Sequence, residues 1–388
     1  MKVAICGAGI SGLALAHRMH AHGWDVVVLE RAPGPREQGY MIDFFGPGFD
    51  AADAMGLVPA LHDRAHPIDQ AAYVDDAGRT TAHLTFARFA ATEDGRLLSL
   101  LRSDLEAVLR ERLPAAVDLR FGAGVVEVRD EPGGVEVGLA DGARLRADLL
   151  VGADGIHSTV RRLVFGEEER FLRYLGFHTA AFQFHDPVVE EATRRRVCLT
   201  DTAQRQMGVY GLGEGRVAVF TVHRTPDPAL PADARAAVQE EYRSLGWLVP
   251  RALAACPPSS EVFYDQVAQI ELPRWSSGRV TLLGDACAAV SLLAGQGASL
   301  GIAGAYVLAE ELASAPSVEA GLERYERVWR PVVLDRQEVG RRAARWFLPA
   351  SRGQVLLRRA ILRLGGLPGM DRLIVGAITG NRTPAVVR

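Results

Sequence analysis

A glycine turn set directly after the first apolar run limits the fold more than any other feature of this chain. Val3-Ala4-Ile5-Cys6 has the make-up of a short buried strand, and Gly7-Ala8-Gly9-Ile10-Ser11-Gly12 follows without a break. Residues 13–22 then read as a helix ending at Gly23, and Asp25-Val26-Val27-Val28-Leu29-Glu30 as a second strand. That strand is apolar throughout, as parallel strands covered on both faces are. Strand, turn, helix and strand make one βαβ unit, with an acid, Glu30, at the end of its second strand. This is the context in which Gly-x-Gly-x-x-Gly binds a dinucleotide. Gly7 permits the tight turn, Gly9 lets a pyrophosphate approach the backbone, and Gly12 lets helix and strand pack closely. The helix start offers free N–H groups to phosphates, and Glu30 can accept hydrogen bonds from a ribose. The motif does not distinguish FAD from NAD.

Composition removes several other classes. The chain of 388 residues is long enough for a large core and suggests two to three domains. It is 48% hydrophobic and 23% charged with a net charge of −3, so neither disorder nor general nucleic-acid binding is expected. No apolar run is long enough to span a bilayer, and the chain runs into a strand at once, so a cytoplasmic protein is expected. The cysteines Cys6, Cys198, Cys256 and Cys287 are scattered, which points to no metal site and no disulfide framework. Lys2 is the only lysine, so mechanisms needing a catalytic lysine have one ill-placed candidate.

Along the chain, residues 73–84 read as a hairpin and 102–113 as a helix. Strands follow at 125–137, turning at Pro132-Gly133-Gly134, and at 143–151. A block of antiparallel strands is expected at 177–185, 196–201, 206–212 and 217–223, then a helix over 233–255, an apolar strand at 280–283 and a helix over 300–313. From Val318 onward the chain reads as helical, with Arg341, Arg342, Arg345, Arg358 and Arg359 on a solvated face. Nucleotide-type strands thus flank antiparallel sheet. The expected fold class is α/β: a Rossmann-like dinucleotide-binding domain (GxGxxG) interleaved with an antiparallel-sheet substrate domain, closed by C-terminal helices. The expected dinucleotide-binding domain comprises 1–72, 98–170 and 274–330, the substrate domain 73–97 and 171–273, and the helical region 331–388.

Two further stretches separate the possibilities. Leu149-Leu150-Val151-Gly152-Ala153-Asp154-Gly155-Ile156-His157-Ser158-Thr159-Val160-Arg161 and Thr281-Leu282-Leu283-Gly284-Asp285-Ala286, leading to Gly295-Gln296-Gly297, are apolar strands ending in Gly/Asp. Open α/β sheets bind ligands at such strand ends. With these three fingerprints in order, residues 1–335 resemble the single-component FAD-dependent aromatic hydroxylases. These are the p-hydroxybenzoate hydroxylase-like flavoprotein monooxygenases, which include salicylate hydroxylases and tetracycline-inactivating enzymes.

The resemblance implies cofactor contacts from Gly7, Gly9, Ser11, Gly12, Glu30, Arg31, Arg36, Arg102, Val126, Asp154, Gly155, Asp285, Gly295, Gly297, Ala298 and Ser299. Leu292, Gly295, Gln296 and Gly297 would lie beside the flavin, which itself carries the chemistry. Cys287 and Ala288 replace the usual Ala-His, Leu292 stands at the usual proline, and Ser299 and Gly304 replace Asn and Asp. The implied reaction uses NADPH or NADH and O2 to hydroxylate an aromatic or polyketide-like small molecule through a flavin C4a-hydroperoxide. The alternative on the same scaffold is an FAD-dependent reductase of an isoprenoid-type double bond. A halogenase would need a lysine, and a non-enzymatic flavin-binding sensor would show no substrate-stimulated NAD(P)H oxidation. A monomer or homodimer without integral membrane segments is expected.

Period-2 alternation sorts the candidate substrate wall. Ala180, Phe182 and Phe184 share a face, as do Met207 and Val209, Gln206, Gly208, Tyr210 and Leu212, and Ala218, Phe220 and Val222. Alternation does not say which face meets the substrate, so Phe182, Phe184, Met207, Tyr210 and Phe220 are all candidates. Their aromatic and thioether surface suits a planar multi-ring phenol better than a small anionic acid.

Overall fold

The computed structural model describes residues 1–35, 39–92, 95–291 and 295–364; Arg36 and Leu292 lie outside them. Two large sheets organise the chain. In the first, Val280–Leu282, Leu149–Gly152, Lys2–Cys6, Asp25–Leu29 and Asp118–Arg120 run parallel in that order, and Ser276–Ser277 adds an antiparallel edge. The order places the glycine-turn strand centrally, with the strands bearing the other two fingerprints on one side. All three carboxyl ends therefore open at the same sheet edge. The helices Ile10–Ala21 and Gly297–Ser314 pack on each other; the latter also packs on Pro47–Ala54 and on the long helix Val318–Phe347.

The second sheet runs Phe263–Ile270, Leu172–His185, Arg216–Arg224, Arg205–Gly213, Arg196–Thr200, Gln70–Val74 and Thr80–Thr85. All its pairs are antiparallel except Arg196–Thr200 with Gln70–Val74, a parallel pair that the expected wholly antiparallel sheet does not contain. Two small sheets join the large ones: Val125–Glu131, Gly134–Leu139 and Arg144–Ala147, and the ribbon Met41–Phe45 with Leu97–Leu101. The strand expected over 143–151 is thus two strands. Asp148 divides them, its amide donating to the Lys2 carbonyl and its carboxylate accepting the Lys2 amide at 2.7 Å.

The expected helix over 233–255 is also two, Ala234–Tyr242 and Val249–Ala254. Between them Trp247 adopts φ 56° and gives its amide to the Asp76 carbonyl at 2.9 Å. A Cβ on Gly246 would stand 2.6 Å from that same carbonyl oxygen. The docked hairpin turn therefore breaks the helix. Among the described residues, no helix is long and apolar enough to cross a membrane.

Candidate active site

The glycine turn is held by contacts that tolerate no side chain at two of its three positions. Gly7 has φ +108°, and a Cβ on it would lie 2.4 Å from the Ala153 carbonyl oxygen. A Cβ on Gly12 would lie 1.9 Å from the Gly7 oxygen, so here helix and strand touch through backbone alone. Gly9 differs: its nearest neighbour would be an Arg102 Nη2 at 3.8 Å, leaving room above the helix start. That room belongs to a cavity of about 520 Å³, within the range of small-molecule and cofactor sites. Its wall carries Gly7, Gly9 and Glu30 of the first fingerprint, Asp154 and Gly155 of the second and Asp285 of the third, together with Arg31 and Arg102.

Each acid is placed differently. Glu30 accepts the Ala8 and Ala32 amides, both at 2.9 Å, one on each carboxylate oxygen. This fixes the carboxylate at the end of its strand with lone pairs still open. Asp154 accepts Ser158 Oγ at 2.5 Å and the Thr159 and Val160 amides at 2.7 and 3.1 Å, so it ties down the start of helix Thr159–Phe165. Burial raises its pKa, and those hydrogen bonds oppose the rise. Burial also raises Asp285, opposed by the Arg102 guanidinium. Asp285 Oδ1 lies 3.9 Å from where a Cβ on Gly297 would be, so the last fingerprint folds back on itself.

The comparisons with known proteins agree with this geometry. The family model described as FAD binding domain matches residues 1–337. The FAD-dependent monooxygenase asL6 of Sarocladium schorii is 31% identical over 379 residues, covering 87% of this chain and 86% of that protein. The chain belongs to the FAD-binding family of flavoprotein monooxygenases. An uncharacterized protein of Mycobacterium tuberculosis is 33% identical, covering 81% of this chain and 85% of its own. The crystal structure of tetracycline destructase Tet(55) shares the fold, with TM-score 0.81 at 24% identity over 97% of both chains. The protein is therefore an FAD-dependent oxidoreductase.

Several residues expected at the flavoenzyme's cofactor do not line its cavity. Val126 is 54% exposed, while its neighbour Val125 faces the cavity. A register shift between Val125 and Glu127 turns that strand so that Val126 faces solvent. The Ser11 hydroxyl points at Gly284 and Gly301, where an added Cβ would meet it at 2.3 and 2.4 Å. Gly295, Gln296, Gly297, Ala298 and Ser299 are also off the cavity wall. Ser299 Oγ accepts the Phe45 amide at 3.4 Å, inside the helix packing. Cys287 is a buried thiol, raised well above its ordinary pKa by burial, as suits a packing role.

The two faces of the seven-stranded sheet separate the substrate candidates. Phe182 and Met207 are buried in a cluster with Val238, Tyr242 and Val249 of the two helices behind the sheet, and Phe184 packs against it. These three form the sheet's own core, on the face away from the Met41–Phe45 ribbon. Tyr210 and Phe220 are on the opposite face, in a cluster with Leu101, Leu212 and Met41, next to the Met41–Phe45 ribbon.

Sequence reasoning missed the far end of the cavity, where Tyr40 and Phe263 approach with ring centroids 6.0 Å apart. His157 lies there too, its Nδ1 2.9 Å from Glu168 Oε1 and its Nε2 3.2 Å from Asp265 Oδ1. Glu168 also accepts from the fully buried Arg161, whose other nitrogen donates to the Ala286 carbonyl. The second fingerprint is thereby tied to the third and to the large sheet. Alternation along 263–270 would have put Phe263 and Asp265 on one face, but only the fold brings Asp265 to His157.

The Asp265 and Glu168 hydrogen bonds outweigh burial and lift the His157 pKa from 6.5 to about 9. A raised folded-state pKa gives stability that is complete below about pH 6.5 and lost as pH rises through about 9. The melting-temperature gap between wild type and His157→Gln should therefore narrow from pH 6.5 to 9 and then vanish. A gap independent of pH would refute the charged bridge.

Proposed function

We propose that this enzyme uses NADPH or NADH and O2 to hydroxylate a planar, largely apolar multi-ring phenol or polyketide-like molecule. Residues 1–72, 98–170 and 274–330 would form its FAD-binding domain, and 73–97 and 171–273 its substrate domain. The observation that carries the reading is the convergence of the three fingerprints on one cavity that the aromatic rings of Tyr40 and Phe263 also line.

The residues present fit FAD. The turn at Gly9 leaves backbone amides uncovered at a helix start, where the dipole favours a pyrophosphate. Glu30, fixed by two amides, is placed to accept ribose hydroxyls, and Arg102 and Asp285 flank the other end of the cavity. Bound and reduced, FAD would supply the activation of dioxygen. The chain's own part is to hold the substrate ring in the cavity that Tyr40 and Phe263 line and to exclude water from the reacting pair. Relatives named as monooxygenases favour this reading over double-bond reduction.

Glu30→Ala and Asp285→Ala should each weaken FAD binding about ten- to a hundred-fold, the effect of losing a charge-assisted hydrogen bond. Titrating FAD into each variant reads this, and unchanged affinity in both would overturn the placement. The function is tested by purifying the yellow protein, identifying the released cofactor, and following NAD(P)H oxidation with simple benzoates or polycyclic phenols. Labelled O2 should appear in the product of a polycycle. Strong coupled turnover of a small benzoate and of no polycycle would sink the substrate class.

A further inference from the structure

Tyr40 stands just before the ribbon strand Met41–Phe45, and the backbone around it is held from three sides. The Gln183 side-chain amide donates to the Gly39 carbonyl at 3.2 Å, the Arg102 amide to the Tyr40 carbonyl at 3.0 Å, and the Met41 amide to the Tyr210 hydroxyl. The side chain so placed lines the cavity, its ring centroid 6.0 Å from that of Phe263, which is itself 39% exposed. Neighbouring polar groups of the cavity wall are matched: His157 with Glu168 and Asp265, and Arg102 with Glu106 at 3.3 Å. The Tyr40 hydroxyl differs. Among the described residues it makes no hydrogen bond, although Arg102, Asp285 and Asp265 are near enough to act on it electrostatically. Burial pushes its pKa up to about 12, so the phenol keeps its proton and remains a donor. A tyrosine hydroxyl in such a setting ordinarily has a partner. A donor on a pinned backbone, left open in a cavity wall, is the kind of group that orients a ligand.

We propose that Tyr40 is the specificity-determining contact of this cavity: its hydroxyl donates a hydrogen bond to a carbonyl oxygen on a ring system packed against Phe263. The inference rests on the hydroxylase reading and narrows its substrate class to keto-bearing, polyketide-like rings. The phenol has one hydrogen to give, and a carbonyl oxygen has two lone pairs and no proton to place, so the pairing satisfies both groups. A ring without an oxygen there would cover the hydroxyl and leave it unmatched, which discriminates more strongly than a missing apolar contact. The two side chains come from separate sheets, Tyr40 from the ribbon's approach and Phe263 from the edge strand Phe263–Ile270, so no sequence motif contains the pair. FAD also carries carbonyl oxygens, and the test has an arm for each source.

The test uses the FAD-loaded, oxidised enzyme with two probes of one skeleton, 1-tetralone and tetralin, each titrated against the flavin absorbance. Tyr40→Phe removes only the hydroxyl. It should weaken 1-tetralone about three- to tenfold, the scale of one neutral hydrogen bond, and leave tetralin within about twofold of wild type. Phe263→Leu takes away ring surface and no donor, so it should weaken both probes alike. The melting temperature and FAD affinity of Tyr40→Phe should match wild type, because the hydroxyl bonds nothing among the described residues. Equal weakening of both probes in Tyr40→Phe, weakening of neither, or no response of wild type to 1-tetralone would overturn the assignment. So would a loss of FAD affinity, which would give the hydroxyl to a carbonyl of the cofactor, or a lowered melting temperature, which would make its partner internal. Binding is read without NAD(P)H or turnover. Failure here therefore leaves the hydroxylase reading standing, and absence of hydroxylated product leaves this titration valid.

Discussion

Gly12→Ala is expected to cost about 3 kcal/mol or more of stability, at the upper end of overpacking penalties, and to abolish retention of FAD on purification. The added methyl would lie 1.9 Å from the Gly7 oxygen and 3.4 Å from Ile5 Cγ2. Gly7 cannot yield, because its amide is bound to the Leu29 carbonyl at 2.7 Å and its other side is pressed against Ala153. Ala153 is fixed in turn by its amide bond to the Cys6 carbonyl at 2.7 Å. The strain therefore reaches three neighbouring strands of the parallel sheet. Gly9→Ala is the informative partner. Its φ of −80° suits alanine, and the nearest atom would be 3.8 Å away. Stability should stay within about 0.5 kcal/mol of wild type, as for substitutions that disturb no packing. FAD affinity should fall, because the methyl occupies the space a pyrophosphate would use. Thermal unfolding with and without added FAD separates the two effects. A Gly12→Ala protein as stable as wild type would refute the close-contact role.

What the sequence made legible was local. A strand–turn–helix–strand run, and apolar strands ending in Gly/Asp, mark their own ends, and every one of those strands lies in the parallel sheet. The turn residues Gly7, Gly9 and Gly12 could be given separate jobs because each job is a backbone property. What stayed hidden depended on partners distant in sequence. Alternation paired Phe182 with Phe184 and Met207 with Val209, yet both faces of that sheet are apolar. Only the helices behind it decide that Phe182 and Met207 face inward while Tyr210 and Phe220 face the ribbon. The outward turn of the Val126 side chain was equally hidden, because a bulge changes which side chain faces in and no local pattern announces one. His157 and Asp265, 108 residues apart, meet only once both sheets are assembled.

The C-terminal arginines show the same limit and yield the second large effect. Read as a solvated face, Arg358 and Arg359 instead converge on Asp201, whose side chain is completely buried. Arg358 Nη2 reaches Oδ1 at 2.9 Å, Arg359 Nε reaches Oδ2 at 2.5 Å, and the Thr81 hydroxyl donates to the same carboxylate. The Arg358 guanidinium also sits 4.4 Å over the Tyr73 ring. One acid thus fastens helix Arg352–Leu364 to the hairpin Gln70–Val74/Thr80–Thr85, while Leu356 and Leu357 face outward. Asp201→Asn should cost about 3–5 kcal/mol, the usual result of removing one partner from a buried ion pair. Hydrogen exchange should quicken first over 352–364, since that helix loses its anchor. Burial alone would raise the Asp201 pKa, but the Thr81, Arg358 and Arg359 hydrogen bonds hold it below 3.8. A lowered folded-state pKa gives stability that is complete above about pH 3.8 and lost as pH falls through the lower folded value. Asp201→Asn should therefore resemble wild type only in strong acid. Replacing Asp201, Arg358 and Arg359 together with apolar residues should cost much less than Asp201→Asn alone, because no buried charge is then left facing a neutral group. If the triple variant is instead the less stable of the two, the interaction is a net source of stability and not simply a fixed orientation for the helix.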